Sequence, residues 1–319
     1  MKIGILGTGV YGVAIARVLS KNGNDITMWT KFEDEKNYLV NNRCCKAMPD
    51  IILDNKVNII CDLESTIKNS DLIIVVIPSD FVYGVLEEIK DIIGNKIVCI
   101  ASKGIDPNKN MFISDIAKSF NINNIAFISG PTFAHEMANY LDCGLTIASY
   151  DNNINNVIYK LFKNDNLKLE LSNDIIGIQL SNTLKNIFAI VMGMLDEANY
   201  SASTKSLIIS SLINELNNAI KEKNSTSNII TSLAGIGDIW LTCTNSQSRN
   251  YTFGGLLVSK KEDINEYLKN NTVEGYDNLK NILKLKYNYG FNFPLIECVY
   301  QIINNNKTVE DLIKLIINE

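Results

Sequence analysis

A polar triplet interrupts an otherwise apolar stretch between residues 175 and 194. Asn182, Lys185 and Asn186 are spaced i, i+3, i+4, so in a helix their side chains share one face. A lysine among apolar residues is suited to proton transfer, because burial disfavours its charged form. The segment therefore indicates a reaction site. The alternative is that Lys185 extends out of a core helix to reach solvent, with the asparagines bonded locally.

A glycine-rich signature opens the chain: residues 7–12 read Gly-Thr-Gly-Val-Tyr-Gly and match G-x-G-x-x-G. The signature follows a strand-like run at residues 3–6 and precedes a helical pattern at residues 13–19. In such a loop Gly7 permits the turn, Gly9 admits a pyrophosphate and Gly12 lets helix and strand pack. We therefore expect a nicotinamide dinucleotide to bind here.

The end of the second predicted strand bears on which dinucleotide binds. NAD sites commonly carry an acid there, bonded to the ribose 2′-hydroxyl. This chain has Thr30 and Lys31 instead, and Glu33 and Asp34 come slightly late. The pattern leaves the choice between NADH and NADPH open, with Lys31 favouring a 2′-phosphate.

The pattern of apolar residues predicts an α/β half followed by a helical half. Short β-branched runs alternate with helical patterns and predict a parallel sheet covered on both faces; they span residues 3–6, 25–29, 72–77, 97–101 and 125–129. Residues 144–149 and 167–171 could complete or edge that sheet. Later residues show helical periodicity at 175–197, 203–221, 263–270, 276–288, 294–304 and 307–317. We expect a Rossmann-type domain, with a mostly parallel sheet, over residues 1–173 and an all-α domain over residues 174–319.

Two further segments carry groups suited to binding. Lys103 follows a predicted strand, at the sheet edge where ligands of such folds bind. In the second half, Asp238 could hold an ammonium. Ser248, Arg249 and Asn250 could wrap a phosphate, with arginine binding it bidentately, unless they form a solvated loop.

Composition narrows the functional classes. The 319 residues are 46% hydrophobic and carry a formal net charge of −5, so nothing indicates nucleic-acid binding. No uninterrupted apolar run reaches the length of a membrane span, and the first residues lack the pattern of a signal peptide. The seven scattered cysteines indicate a reducing compartment and no metal site. We expect a cytoplasmic protein that needs no metal. The single histidine, His135, is expected to have a structural role.

Together these motifs resemble the bacterial type of NAD(P)-dependent glycerol-3-phosphate dehydrogenase over essentially the whole chain. The resemblance rests on residues 7–12, 102–104, 129–136, 177–180, 184–186, 233–244, 248–250 and 273–275. It implies interconversion of dihydroxyacetone phosphate and sn-glycerol 3-phosphate with NAD(P)H, a supply of glycerol 3-phosphate for phospholipid synthesis, and a homodimer.

The resemblance also implies roles for individual residues. Lys185 would exchange the proton at the substrate C2 oxygen, with Lys103 and Asp238 beside it. The substrate would be held by Gly130, Thr132, Asn186, Ser248, Arg249 and Asn250. Besides the three glycines of the loop, the cofactor would meet Val10, Tyr11, Lys31, Lys103, Ala134, Arg249 and Glu274.

The chain departs from the family pattern in three places. Residues 181–183, Ser-Asn-Thr, replace a Gly-Gly-Ala type run; residues 199–204 replace a glycine-rich segment; and Ser211 stands where an arginine is usual. These differences bear on catalytic efficiency. Two alternatives therefore remain open: a related 3-hydroxyacid dehydrogenase, and a catalytically weak NAD(P)-binding sensor or scaffold.

Overall fold

A computed structural model describes residues 1–223, 228–259 and 264–318. In this part of the chain the N-terminal half is built on an eight-stranded sheet, and two short strands, β6 and β7, form a separate hairpin. The strands are β1 (Lys2–Leu6), β2 (Asp25–Trp29), β3 (Asn58–Ile60), β4 (Leu72–Val75), β5 (Ile97–Ile100), β6 (Ile105–Asp106), β7 (Met111–Phe112), β8 (Ile125–Ser129), β9 (Cys143–Ala148) and β10 (Leu167–Ser172).

The sheet has the strand order β10-β9-β8-β5-β4-β1-β2-β3. Strands β8 to β3 in this order are parallel, whereas β9 is antiparallel to β8 and parallel to β10. The predicted Rossmann-type, mostly parallel sheet is therefore confirmed. The direction of winding reverses between β1 and β4, and sheets of this kind bind ligands beyond the carboxyl ends of the strands at that point.

Helices cover both faces of the sheet. In β4, Ile73 and Val75 join one apolar core and Leu72 and Ile74 join the other, as alternating side chains of a buried strand must. Because both faces are covered, the strands read as continuous apolar runs. The helices of this half are α1 (Val10–Lys21), α2 (Glu33–Asn42), α3 (Leu63–Lys68), α4 (Ser79–Ile89), α5 (Ile113–Ser119), α6 (Ala134–Ala138) and α7 (Asn152–Phe162).

The described residues after β10 are helical, as predicted. The predicted helices are present with bounds shifted by no more than two residues, although residue 263 lies outside the described part; α10 and α11 were not predicted. They are α8 (Ile175–Glu197), α9 (Ala202–Glu222), α10 (Asp238–Cys243), α11 (Arg249–Ser259), α12 (Ile264–Asn270), α13 (Glu274–Tyr289), α14 (Pro294–Ile303) and α15 (Val309–Asn318). A 3₁₀ turn (Ile229–Thr231) and a π-helical turn (Leu233–Gly237) precede α10.

Helix α8 is the central element of the helical half. Its first turn is capped by the Asp174 carboxylate, which accepts a hydrogen bond from the Gly177 amide at 2.7 Å. Helices α9, α10, α11 and α13 pack against it. Gly193 of α8 and Gly254 of α11 let the two backbones touch, since a Cβ at either position would collide with a carbonyl oxygen of the other helix.

The length and composition of α8 would also suit a membrane span. It has 23 residues, and its most apolar 18-residue window has a mean hydropathy of 1.4, but 94% of that window is buried inside the protein. Burial against other helices explains why it is apolar around most of its circumference, apart from the face that carries Asn182, Lys185 and Asn186.

The loop after β5 is fastened directly to α8. A Cβ at Gly104 would collide with the Cα and Cβ of Gln179. The Gln179 side chain in turn accepts a hydrogen bond from the Ser114 amide at 3.1 Å and donates one to the Ser114 hydroxyl at 2.9 Å. These contacts set the distance between Lys103 and the face of α8 that carries Lys185.

Candidate active site

The glycine loop has the geometry that a dinucleotide requires. Gly7 has φ +124°, and its amide donates to the Trp29 carbonyl at 2.9 Å. A Cβ at Gly12 would collide with the Gly7 carbonyl oxygen, so only glycine lets α1 start this close to β1. At Gly9, which caps α1, a Cβ would meet no atom within 4 Å. The open space at the N-terminus of α1 fits a pyrophosphate.

Tyr11 in the first turn of α1 lies near Asp238 of the helical half. Val10 is 39% exposed at the helix start, and Tyr11 lies partly buried beside it. Burial raises the pKa of the Tyr11 hydroxyl, and the nearby Asp238 carboxylate raises it further. Tyr11 therefore stays a neutral phenol between the glycine loop and Asp238. Ala134, the first residue of α6, is partly buried where α6 packs on α1.

The end of β2 carries an acid that the sequence pattern did not reveal. Thr30 is 3% exposed, and its hydroxyl donates to the Glu35 carboxylate. Glu33, the nearer acid in sequence, pairs instead with Lys36 at 2.5 Å. Lys31 is exposed and makes no hydrogen bond or ion pair with another described residue. Glu35, in the first turn of α2, therefore lies against Thr30 at the end of β2, next in sequence to Lys31.

Lys185 and Asp238 form a buried ion pair. Lys185 is 6% exposed and Asp238 is 2% exposed, and the ammonium donates to the Asp238 carboxylate. Ser129, at the end of β8, donates to the same carboxylate at 3.3 Å, and Thr242 donates to the Asp238 carbonyl at 2.6 Å. Asp238 is therefore fixed from the sheet and from its own helix.

Burial is the largest influence on the Lys185 ammonium. It lowers the pKa of Lys185 to about 8, and the positive charge of Lys103 adds to this effect. The negative charges of Asp238 and Glu274 oppose the shift without cancelling it. Lys185 can therefore both give and take a proton near neutral pH.

Lys103 lies at the same site. Its ammonium is 3.4 Å from the Asn182 carboxamide oxygen and 3.9 Å from the Glu274 carboxylate. Glu274 also accepts a hydrogen bond from Asn186 at 3.2 Å. The polar triplet of α8 therefore faces Lys103 and does not extend to solvent, which answers the alternative raised for Lys185.

Asn250 of α11 connects this helix to α8 and α13 through hydrogen bonds. Its amide donates to the Asn186 oxygen at 3.1 Å, and its own oxygen accepts from the Gly275 amide at 2.8 Å. The close approach needs a glycine, because a Cβ at Gly275 would crowd the Asn186 carbonyl. Much of the Asn250 carboxamide is thus engaged within the protein, holding Asn186 beside Lys185.

Ser248 and Arg249 start α11 in different environments. Ser248 is 6% exposed, and its hydroxyl and carbonyl accept from the Tyr251 and Thr252 amides at 3.3 and 3.0 Å. The Arg249 side chain is exposed and makes no hydrogen bond or ion pair with another described residue. A free guanidinium at a helix N-terminus is available to an anion.

Gly130 and Thr132 shape the loop after β8. A Cβ at Gly130 would collide with the Gly144 carbonyl oxygen, and the Thr132 hydroxyl donates to that same oxygen at 2.7 Å. Both residues hold this loop against β9. The structure therefore gives them an evident scaffold role, while the Thr132 oxygen can still accept a hydrogen bond.

His135 lies on the surface, where it is within 2.6 Å of the Asp50 carboxylate. Contact with His135 lowers the pKa of the Asp50 carboxyl.

Within residues 1–223, 228–259 and 264–318, no three or more His, Cys, Asp or Glu side chains are grouped to hold a metal ion.

A dinucleotide loop facing a buried, ion-paired lysine defines a nicotinamide-dependent dehydrogenase. Comparison with known proteins identifies the family. Residues 2–155 match the model of the NAD-dependent glycerol-3-phosphate dehydrogenase N-terminus, and residues 174–314 match that of its C-terminus. The chain belongs to the NAD-dependent glycerol-3-phosphate dehydrogenase family.

Individual relatives agree with this assignment. A glycerol-3-phosphate dehydrogenase (NAD(P)+) of Orientia tsutsugamushi is 35% identical over 329 residues, covering 100% of this chain and 98% of the relative. One from Baumannia cicadellinicola is 33% identical and covers 96% and 92%. The crystal structure of the Coxiella burnetii glycerol-3-phosphate dehydrogenase shares the fold, with a TM-score of 0.90, 24% identity, and coverage of 100% of this chain and 99% of that one.

The end of β2 yields a prediction about cofactor choice. Lys31 can pair with a 2′-phosphate, so we expect NADPH to bind at least as tightly as NADH. Lys31→Glu should lower the affinity for NADPH relative to NADH, and Glu35→Gln should raise it. Fluorescence titration of each variant with both reduced cofactors measures the ratio of dissociation constants. An unchanged ratio in Lys31→Glu would remove Lys31 from the cofactor site.

Proposed function

We propose that the protein interconverts dihydroxyacetone phosphate and sn-glycerol 3-phosphate by hydride transfer with NAD(P)H. The observation on which this rests is the meeting of Lys185, Asp238 and Lys103 at one site, where Asp238 is also close enough to Tyr11 of the glycine loop to raise its pKa. A proton carrier and a second positive charge are what reduction of an anionic ketone needs.

The cofactor supplies the hydride at the ketone carbon. Lys185 donates a proton to the C2 oxygen as negative charge develops there, and Lys103 adds a positive charge that stabilises the same oxygen. Asp238 orients the Lys185 ammonium through their ion pair. In the reverse direction, neutral Lys185 removes the hydroxyl proton. In the direction of reduction, the reaction consumes one ketone, one NAD(P)H and one proton.

The substrate phosphate is assigned to the start of α11. Arg249 is free to bind an anion, and the positive end of the helix dipole lies at the same place. Asn250 and Asn186 connect this anion site to Lys185. Binding the phosphate there would place the neighbouring ketone along the polar face of α8.

The alternatives account for less of the structure. A 3-hydroxyacid dehydrogenase would use a lysine on a helix and could pair its substrate carboxylate with Arg249, but residues 2–155 and 174–314 match glycerol-3-phosphate dehydrogenase. A sensor without turnover gives no reason for a lysine whose pKa is lowered to about 8. The discriminating experiment is a spectrophotometric assay with dihydroxyacetone phosphate and each reduced cofactor. Cofactor oxidation without substrate, or turnover of 3-hydroxyisobutyrate instead, would contradict the proposal.

Several finer properties are part of the proposal. We place the protein in the cytoplasm, supported by seven unpaired cysteines, and assign its product to phospholipid synthesis. We propose a homodimer on the family resemblance. The domain boundary at residues 173/174 is supported by the end of β10 at Ser172 and the start of α8 at Ile175.

The first functional prediction concerns Lys185→Met. The substitution keeps an unbranched apolar side chain but removes the proton carrier, so turnover should fall by about 10²- to 10⁴-fold. NADH affinity should be nearly unchanged. The matched control is Lys205→Met, which removes a surface ion pair with Asp196 and should leave turnover intact. More than about a tenth of wild-type activity in Lys185→Met would exclude Lys185 as the carrier.

The lowered pKa of Lys185 sets opposite pH dependences for the two directions. Reduction needs the protonated amine, so its kcat/KM should fall as pH rises through about 8. Oxidation of glycerol 3-phosphate needs the neutral amine and should rise through the same range. Initial rates in both directions between about pH 6 and 10 measure this. Profiles that change in the same direction would contradict the assignment.

Arg249→Lys keeps the charge but loses the bidentate geometry. We expect substrate binding to weaken by about 1.5 to 3 kcal/mol, mainly as a higher KM. The control is Arg17→Lys on the outer face of α1, where the guanidinium donates to the Ile52 carbonyl. That change should affect thermal stability and leave KM unaltered. Equal losses in kcat/KM for both variants would reject the phosphate site.

A further inference from the structure

Asn182 makes a contact that depends on this chain's departure from the family pattern. It lies one turn before Lys185 on α8 and is 5% exposed. Its carboxamide oxygen is 3.4 Å from the Lys103 ammonium. The sequence resemblance places a glycine in this part of the helix, which could make no such contact. Asn182 therefore adds a polar group directly at the reacting centre.

The amide nitrogen of Asn182 remains available. An ammonium only donates hydrogen bonds, so the oxygen of the carboxamide must face Lys103 and the nitrogen must point away. That nitrogen donates to no other described residue. Among the described residues, the Ser181 hydroxyl is fully buried and has no hydrogen-bond partner. The Asn182 amide nitrogen also lacks a partner but is not fully buried, so solvent reaches it. The Asn182 amide is therefore an accessible hydrogen-bond donor without a partner among the described residues, and it lies next to Lys103.

The order of groups along α8 indicates what meets this donor. Asn186 lies at the end bonded to Asn250, next to the anion site at Arg249. Lys185 comes next along the helix, and Asn182 lies one turn further from the anion site. With the substrate phosphate at Arg249 and the C2 oxygen at Lys185, the remaining hydroxymethyl group extends towards Asn182.

We propose that Asn182 binds the C1 hydroxyl of dihydroxyacetone phosphate through its amide nitrogen while its oxygen holds the Lys103 ammonium. The inference rests on the proposed function and names a specificity-determining residue within it. A site that hydrogen-bonds a substrate hydroxyl discriminates against the analogue without it, because the donor is then left unpaired. Asn182 would therefore select ketones that carry the C1 hydroxyl.

The test compares two substrates, dihydroxyacetone phosphate and its 1-deoxy analogue, hydroxyacetone phosphate. Asn182→Ala removes both carboxamide groups, whereas Asn182→Asp keeps an oxygen for Lys103 and removes the donor. Thr183→Val is the control, because it alters the other adjacent buried position, whose hydroxyl donates to the Gln179 carbonyl and which lies on the side of α8 away from Lys185. Thermal midpoints and NADH dissociation constants establish that each variant is folded and binds cofactor.

We expect Asn182→Ala and Asn182→Asp to lower kcat/KM for dihydroxyacetone phosphate by about tenfold or more, and that for hydroxyacetone phosphate by less than about threefold. Thr183→Val should change neither. Equal losses on both substrates, or recovery of selectivity in Asn182→Asp, would overturn the role of the amide. A wild-type protein inactive on both ketones would instead remove the proposed function itself.

Discussion

Burying the ammonium of Lys185 is the constraint on which the rest of the site depends. An unpaired charge inside an apolar helix bundle would be strongly unfavourable, so Lys185 requires Asp238 beside it. Asp238 in turn requires a fixed position, which Ser129 of the sheet and its own helix provide. The pair does not fully compensate for burial, and the remaining penalty is what brings the lysine into the range where it exchanges protons.

The site is assembled from both halves of the chain, which contact each other closely where the loop after β5 meets α8. Gly104 lets the loop of Lys103 touch α8, and Gln179 fastens that loop through Ser114. On the far side, Asn186 and Asn250 join α8 to α11 and α13. Neutral carboxamides do most of this connecting. They position the lysines without adding charges that would shift their proton affinities.

The fold and the meeting of Lys103, Lys185 and Asp238 at one site could be predicted from sequence, because apolar periodicity, the glycine loop and the family motifs are local patterns. The role of Glu35 could not, since a turn of α2 returns it to Thr30 through a contact that no strand-end rule describes. Helix α10 was not predicted because it is short and follows a glycine-containing turn, and helix α11 was not predicted because two adjacent glycines, Gly254 and Gly255, weaken its helical pattern. Asn250 was expected to hold substrate, yet its bonds to Asn186 and Gly275 appear only once the helices are packed.

The burial of α8 has a consequence for biosynthesis. This helix lies near the middle of the chain, but the helices that enclose it include α11 and α13, which end at Ser259 and Tyr289. When α8 has left the ribosome, the helices α11 and α13 that will cover it have not yet been synthesised. Until then, this long apolar helix of the nascent chain is exposed to solvent and to other apolar surfaces, as incompletely synthesised domains are. The helix that carries the proposed proton carrier is thus also one that a pause in translation would leave open to aggregation.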